Sequence, residues 1–568
     1  MRPQPLALIL ALVIVLGGGL LVSQGWLRER AFDLTGEADP GPQALGMAQL
    51  ALNLTTRPLD TRPNASIDHS GVNPFGINTF LQQEVDPSRR EEQLRLISEA
   101  GFHWIRQEFS WQDIEVHGRG DFVDRRNDPN GVDAWAKYDN IVDLADKHGL
   151  EIIARLSSPP AWSRAAGETN GAFAPPDDYE DFARYAQAVV KRYKGRIHYY
   201  QVWNEPNIYP EWGEQNVSPE DYTKLLCLAY QAIKTADPEA VVLSGALAPT
   251  AELSGRDFSD YLFLDRMYRA GAGACFDILS MQGYGLWSGP TDHRMRPLVV
   301  NYSRNEFIRD LMVKHGDEHK PIWISEMNWN VAPEGVEPRY GRVTLDQQAR
   351  WAPLAYERAQ QEWPWVGVIS LWYFKRADDQ WLRERRPEAY FQMAEPDFTL
   401  LPVYESMKAY ANQWPVIYSG NHAADHWAIV YGSAWQVDNG VAKFTQQGPG
   451  ETGNVLFSFE GTTLRIEFGP DDAPESDVIL SVDGGAPTGF GSNKGYFVWK
   501  GWWGQHTVSL IPAPNGKINI QRIKVGNELP LILQMVLSAM AILGGALYAL
   551  SRKLPGAPSK SLPKGRAQ

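Results

Sequence analysis

Two glutamates in this 568-residue chain stand where strands stop. The first lies in Y-Q-V-W-N-E-P-N, from Tyr200 to Asn207. Ile197 to Val202 is rich in aromatic and β-branched residues and reads as a strand. Pro206 ends it, because it has no N–H for a ladder and biases Glu205 toward extended backbone. Taken alone, N-E-P reads equally as a surface strand end with a capping Asn and a solvated Glu. The second glutamate changes that balance. In P-I-W-I-S-E-M-N-W, from Pro321 to Trp329, another apolar run ends in Glu326, again followed by aromatic and amide side chains. Two strand-end carboxylates facing one cavity supply what cleavage of a glycosidic bond requires, one as acid/base and one as nucleophile. A retaining mechanism would place their carboxyl groups about 5–5.5 Å apart.

The elements that must carry these residues form a regular series. Apolar runs occur at Pro74–Phe80, Phe102–Phe109, Leu150–Leu156, Ile197–Trp203, Ala240–Leu247, Phe276–Gln282, Ile322–Asn328 and Val366–Phe374. Between them lie helical patterns such as R-R-E-E-Q-L-R-L-I-S-E-A-G. Eight strands alternating with helices predict an α/β fold, a (β/α)8 TIM barrel over residues 73–413, closed by a helix near Leu401–Gln413. No G-x-G-x-x-G or P-loop follows any of the runs, so a dinucleotide- or nucleotide-binding sheet has no support. From Trp414 the pattern becomes short alternating strands with Gly-rich turns, which predicts an antiparallel β-sandwich over 414–527. Its Gly495–Gly504 segment, G-Y-F-V-W-K-G-W-W-G, reads equally as a sugar-stacking surface and as sandwich core.

Both termini are hydrophobic. Pro5 to Val22 is almost continuously apolar and extends to Leu27, close to the roughly 20 residues of a membrane helix. A cleaved signal peptide competes, but no A-x-A site follows, and 1–27 is read as an anchor. A second apolar stretch, Leu529–Leu550, falls within a predicted membrane helix over 528–551. Arg552, Lys553, Lys560, Lys564 and Arg566 follow it in a basic tail, 552–568, that would face the cytoplasm. Residues 28–72 read as a stalk with a helical turn or two. The body would then be extracytoplasmic.

Composition narrows the partners. A hydrophobic content of 43% and a charged content of 21% mark a folded chain, and the net charge of −14 argues against nucleic acid as a partner. The only cysteines, Cys227 and Cys275, lack C-x-x-C spacing and are expected as buried free thiols. The Asp124–Asp133 loop misses the calcium-loop pattern and reads as solvated; no metal or cofactor is expected. Oligomeric state is not encoded in any pattern found.

The working face of such a barrel is the C-terminal end of its strands. There the sequence places Arg106 and Trp111 after strand two, Trp162 in S-S-P-P-A-W-S after strand three, and Trp203, Asn204, Glu205 and Asn207 after strand four. Gln282 and Tyr284 follow strand six, Glu326 and Asn328 strand seven, Trp372 and Tyr373 strand eight. Aromatic rings among amides and carboxylates suit a sugar, whose C–H faces stack while its hydroxyls seek directional partners. Each ring taken alone reads more readily as packing.

Over Asn73–Gln413 the chain resembles the retaining glycoside hydrolases of the clan that holds families 5 and 39, with V-W-N-E-P-N and S-S-P-P-A-W leaning toward family 39. The resemblance implies Glu205 as acid/base and Glu326 as nucleophile. It also implies Asn204 as the amide that bonds the sugar 2-hydroxyl and Arg106 as the cation beside the nucleophile. Tyr284 and Trp372 match the strand-six tyrosine and strand-eight tryptophan; Trp162, Gln282 and Asn328 complete the expected substrate-binding set. Many relatives carry His where Gln282 stands, which leaves the sugar at that subsite open. The expected activity is hydrolysis of β-linked O-glycosidic bonds in an oligo- or polysaccharide. A transglycosylase with the same residues and a non-catalytic polysaccharide-binding surface protein are the competing readings.

Overall fold

The computed structural model describes residues 25–53, 58–445, 448–469, 477–485, 488–491, 495–513 and 517–528. The apolar segments expected as membrane helices, up to residue 24 and from 529 onward, lie outside these residues, as does the basic tail. Among the described residues no helix is long and apolar enough to cross a membrane. The chain divides into two units: one runs to Pro415 and takes in Gly420–Ala428, and the other comprises Val416–Ser419 and the chain from Ile429.

In the first unit, eight parallel strands follow one another around a ring: β1 (Phe75–Thr79), β2 (Trp104–Ser110), β3 (Glu151–Ser157), β4 (Tyr199–Val202), β5 (Val241–Leu243), β6 (Leu279–Gln282), β7 (Ile322–Met327) and β8 (Val366–Leu371). The hydrogen-bonded order is β5-β4-β3-β2-β1-β8-β7-β6. Parallel bridges from Leu243 to Ile278 and from Leu247 to Met281 close the ring between β5 and β6. Each expected run covers its strand to within one residue, β2 and β3 running on by one to Ser110 and Ser157. The helices packed outside start on chemistry written locally. Before Tyr179–Tyr193, Asp178 accepts a hydrogen bond from the Glu180 N–H, and Phe182, Tyr185, Ala186, Val189, Val190 and Tyr193 form the buried stripe. Thr344 and Gln347 close a reciprocal capping box at the start of Leu345–Glu362.

Inside the barrel, Trp104, Ile153, Val241, Leu243, Ile278, Trp323 and Val368 form an apolar floor near the N-terminal ends of the strands. Two residues further along a strand the same face is presented, and there the interior turns polar, with Arg106, Arg155, Ser280, Ser325 and Ser370. Polar groups at such depth need partners, and the site above the floor supplies them.

The segment read as a stalk contains two helices, α1 (Gly25–Thr35) and α2 (Pro40–Asn53). It packs on the barrel's flank: Phe32 stacks on Trp351 at 5.9 Å, and Asp33 accepts from Trp351 Nε1 at 3.0 Å and from Arg350 at 2.7 Å. The free-thiol expectation is corrected. Cys227, on the helix Pro219–Ala236, and Cys275, just ahead of β6, form a disulfide with Cα atoms 4.8 Å apart. Consecutive barrel elements bring the two together across 48 residues of chain.

The second unit is a curled antiparallel sheet. Its main strands are β9 (Trp435–Asp438), β10 (Val441–Phe444), β11 (Val455–Phe468), β12 (Asp477–Val482), β13 (Thr488–Gly491), β14 (Tyr496–Pro512) and β15 (Ile518–Gly526), in the order β9-β10-β15-β11-β14-β12-β13. Along β11 the buried residues switch from Val455, Phe457 and Phe459 to Leu464, Ile466 and Phe468. The parity changes at a register shift between Gly461 and Thr463, as a bulge demands. Before it β11 pairs with Val430–Tyr431, and after it with β15, so one strand serves both layers of a sandwich.

Candidate active site

Each glutamate reaches the cleft through a break in its strand. Beyond β4, Trp203 and Glu205 both take positive φ, 78° and 35°, a region bulky residues enter only when their surroundings enforce it. The Glu205 N–H donates to the Ala246 carbonyl at 3.0 Å, and the Trp203 indole to the Glu211 carbonyl at 2.8 Å. On β7 one extra residue is inserted. Ile324 pairs with Met281 and Glu326 with Gln282, so two steps on β7 match one on β6; on the other side, three steps to Met327 match two on β8. Strict alternation from Trp323 would turn Ser325 inward and Glu326 away. The bulge lets both point in.

Arg106 organises what lies between. It is 2% exposed, and its guanidinium donates to Gln201 Oε1 (2.7 Å), Asn78 Oδ1 (2.8 Å), Asn204 Oδ1 (2.7 Å) and Glu326 Oε1 (2.7 Å). A buried ion pair needs its remaining donors bonded, and these bonds take four of the five guanidinium N–H groups. Glu326 Oε2 accepts from the Tyr284 hydroxyl at 2.8 Å. Gln201 and Asn78 are themselves fixed, by Ser325 Oγ at 2.9 Å and by the Ser325 carbonyl at 2.8 Å.

Glu205 has no such cation. Gln282 Nε2 donates to its Oε1 at 3.1 Å. Burial pushes its pKa well above the carboxylate range, and the negative charges of Glu326 and Glu211 push the same way; the Gln282 bond and Arg106 oppose them less strongly. At neutral pH one carboxyl can therefore hold a proton beside another that is paired with arginine, the division of labour that acid/base and nucleophile require.

The structure links Arg106, Asn204, Tyr284 and Glu326 by hydrogen bonds and sets the Gln282–Glu205 pair within electrostatic reach of them. Trp372 is half-buried, with Phe80 edge-on at 5.4 Å. Trp162 is half-buried too, its indole donating to the Glu115 carbonyl at 2.7 Å and its ring set edge-on to Trp111. Asn328 is corrected from substrate contact to support. It is buried and its amide bonds the carbonyls of Trp372 (2.8 Å) and Phe391 (2.7 Å), while its Oδ1 accepts from the Trp329 N–H. Asn207 likewise ties Ala248 to Phe258. Trp111, Trp203 and Tyr373 are fully buried against other aromatic rings, with their polar atoms bonded inside the protein: Trp111, for one, stacks on Tyr185 at 5.3 Å and donates to Glu115.

Glu211 was not foreseen. It lies six residues past Glu205, its carboxylate accepts a bond from the Asn204 side chain, and burial, opposed by Arg155, raises its pKa to about 7. Behind it Arg155 pairs with Glu108 at 3.0 Å, and Glu108 also accepts from Ser157 and Ser158. No sequence pattern marks Glu211; only the turn of the loop after β4 brings it back. In the Asp124–Asp133 loop, Arg126 pairs with Asp124 and Asp113. Among the described residues no group of His, Cys, Asp and Glu is placed to hold a metal ion.

Comparison with known proteins shows what the chain is similar to. The fold is similar to a family 39 glycoside hydrolase from Bacteroides cellulosilyticus WH2, 17% identical, with 79% of this chain and 82% of that one covered and a TM-score of 0.46. By sequence the chain is 25% identical over 267 residues to a beta-xylosidase of Caldicellulosiruptor saccharolyticus, covering 44% of this chain and 50% of that protein. It is 28% identical over 123 residues to a cyanidin 3-O-glucoside 7-O-glucosyltransferase (acyl-glucose) of Delphinium grandiflorum, 21% of this chain and 22% of that one. The chain thus spans half or less of the length of these curated relatives. The model of the cellulase family, glycosyl hydrolase family 5, matches residues 65–335, a stretch containing both Glu205 and Glu326. The matched model and the closed parallel barrel agree with a resemblance to the glycoside hydrolases of the (β/α)8 clan.

Proposed function

We propose that the protein cleaves β-linked O-glycosidic bonds of an oligo- or polysaccharide by double displacement. The observation that carries this is the contrast between the two glutamates: Glu326 bonded by Arg106 and Tyr284, Glu205 pushed toward its protonated form. Protonated Glu205 donates to the leaving oxygen as Glu326 attacks the anomeric carbon; the glycosidic C–O bond breaks and an ester to Glu326 forms. Glu205, now a carboxylate, takes a proton from the water that opens the ester, and the anomeric configuration is retained. Asn204, oriented by Arg106 on one side and Glu211 on the other, keeps an amide hydrogen for the sugar 2-hydroxyl, and Trp162 and Trp372 offer rings to sugar faces.

The roles are tested by removing each carboxyl. Glu326→Gln should abolish turnover of every substrate, since no glycosyl-enzyme can form. Glu205→Ala should still be glycosylated by an activated aryl glycoside, and azide, which needs no general base, should restore turnover with retained configuration. Rescue of Glu326→Ala to an azide of retained configuration, with Glu205→Ala rescued only to the inverted azide, would exchange the two roles. Transfer to an acceptor sugar in place of water is a second reading, supported by the likeness to a protein named as a glucosyltransferase. Products formed with and without added acceptor separate the two.

We further propose that the body stands on the outer side of a membrane, between anchors at Pro5–Leu27 and Leu529–Leu550. The length of the apolar runs and the cationic tail support this. So does the Cys227–Cys275 disulfide, a bond that persists in oxidising compartments.

A further inference from the structure

We propose that the Trp502–Trp503 bulge on β14 is a lipid-contacting surface that seats the second unit in the headgroup region of a bilayer. The inference rests on the reading that Leu529–Leu550 spans that bilayer.

The bulge is built into the ladder. Along β11 and β14, Gly461 pairs with Gly504 and Thr463 with Lys500, so residues 501–503 stand opposite the single residue Thr462. Inside the bulge the space is taken. Trp499, Phe459 and His506 pack on one another, with ring centroids 4.5–5.5 Å apart. A Cβ on Gly501 would come within 2.1 Å of the Trp499 ring, so the residue at the neck must be glycine. The next two side chains are turned out, and Trp502 and Trp503 are 68% and 66% exposed. Their backbone is held rather than free: His506 Nε2 lies 3.0 Å from the Trp502 carbonyl, and its Nδ1 lies 2.7 Å from Asp483. Two adjacent indoles, fixed outward on a folded sheet, are an unusual exposure of apolar surface.

The same corner is where the chain leaves the sheet. Thr462, facing the bulge, donates to the Glu528 carbonyl, and Lys500, at its edge, pairs with the Glu528 carboxylate at 2.7 Å. Leu529 is the next residue, and the 22 residues to Leu550 would extend about 33 Å as a helix, the thickness of a hydrocarbon core. A bilayer entered at Leu529 therefore meets Trp502 and Trp503 at its surface. Indoles partition to that depth, where the ring is apolar and the N–H stays wet.

The test uses the full chain in phospholipid vesicles with a nitroxide on a single introduced cysteine, the native pair being disulfide-bonded. Three positions are compared: Trp503→Cys at the bulge, Lys517→Cys by the far end of β15, roughly 30 Å from Gly526, and Met540→Cys in the apolar segment. The expected result is that oxygen collisions exceed those of a water-soluble nickel chelate at positions 503 and 540, and fall below them at 517. A label at Trp502→Cys gives an independent reading should the Trp503 variant fail to fold. If 540 lies in the hydrocarbon but 502 and 503 behave like 517, the anchor stands and this inference falls. If 540 is itself open to the chelate, the anchor reading fails and takes the inference with it. Immobilisation of a chelate-accessible label at 503 by soluble xylo- or cello-oligosaccharides would make the surface a sugar-stacking site instead and overturn the proposal.

Discussion

Gln282 is the residue at which this site departs from the pattern it otherwise resembles. An imidazole there would add a second titrating group; an amide cannot. Its Nε2 donates to Glu205, and its own buried Oε1 has no protein partner. Turned over, the amide would accept from protonated Glu205, so one neutral side chain serves both states of the acid/base. The donated bond lowers the Glu205 pKa and the Glu211 charge raises it. Gln282→Leu should therefore move the alkaline limb of the kcat/KM profile to higher pH. Glu211→Gln, which keeps an acceptor for Asn204 and removes only charge, should move it to lower pH. Loss of activity with an unmoved limb in both variants would reduce these residues to packing. Glu211 also links pH to stability. Its carboxyl is raised from the ordinary 4.5 to about 7, so the folded state holds the proton more tightly. The stability this confers is complete below about pH 4.5 and is lost as pH rises through 7. Glu211→Gln should flatten that slope in denaturant titrations.

At the level of elements, strand existence is local information and strand register is not. The runs of β-branched and aromatic residues that mark β4 and β7 are visible in the sequence, and so are the caps Asp178 and Thr344. The extra residue at Ser325–Glu326 is invisible there, because a bulge exists only relative to the strands on either side. The disulfide is of the same kind: two cysteines without motif spacing become partners once the helix Pro219–Ala236 packs beside the turn into β6. Closing a 48-residue loop in the unfolded chain stabilises the fold by about 4 kcal/mol in the chain-entropy account. Cys227→Ala with Cys275→Ala should lower the urea midpoint of the barrel accordingly, while reducing agent should leave the midpoint of that variant unmoved. An equal response of the variant to reductant would place the effect elsewhere.

For the whole molecule, orientation is the main consequence of the proposed function. The proposed anchors at both ends, with a cationic tail inside, would set the barrel and the sheet on the side of the membrane where glycans are met. Protease added to intact spheroplasts should degrade the body and leave short apolar fragments. Full protection of the barrel until the membrane is broken would refute this orientation. The net charge of −14 acts at this scale too, favouring neutral glycans over polyanions in long-range approach.

What the sequence determined by itself was the alternation of strands and helices, hence the barrel, and the strand ends at which Glu205 and Glu326 stand. These are set by side-chain period and by proline, which act within a few residues. Only the tertiary structure decided which strand-end aromatics are core: Trp111 and Trp203 are indistinguishable from Trp372 in a linear string, and burial separates them because it depends on what packs from elsewhere. It also decided that Asn328 supports Trp372 from behind, that Glu211 returns to the site, and that in G-Y-F-V-W-K-G-W-W-G the first tryptophan faces the core while the last two face outward. Each of these is a relation between distant residues, and such relations are fixed by packing and register, which no local pattern contains.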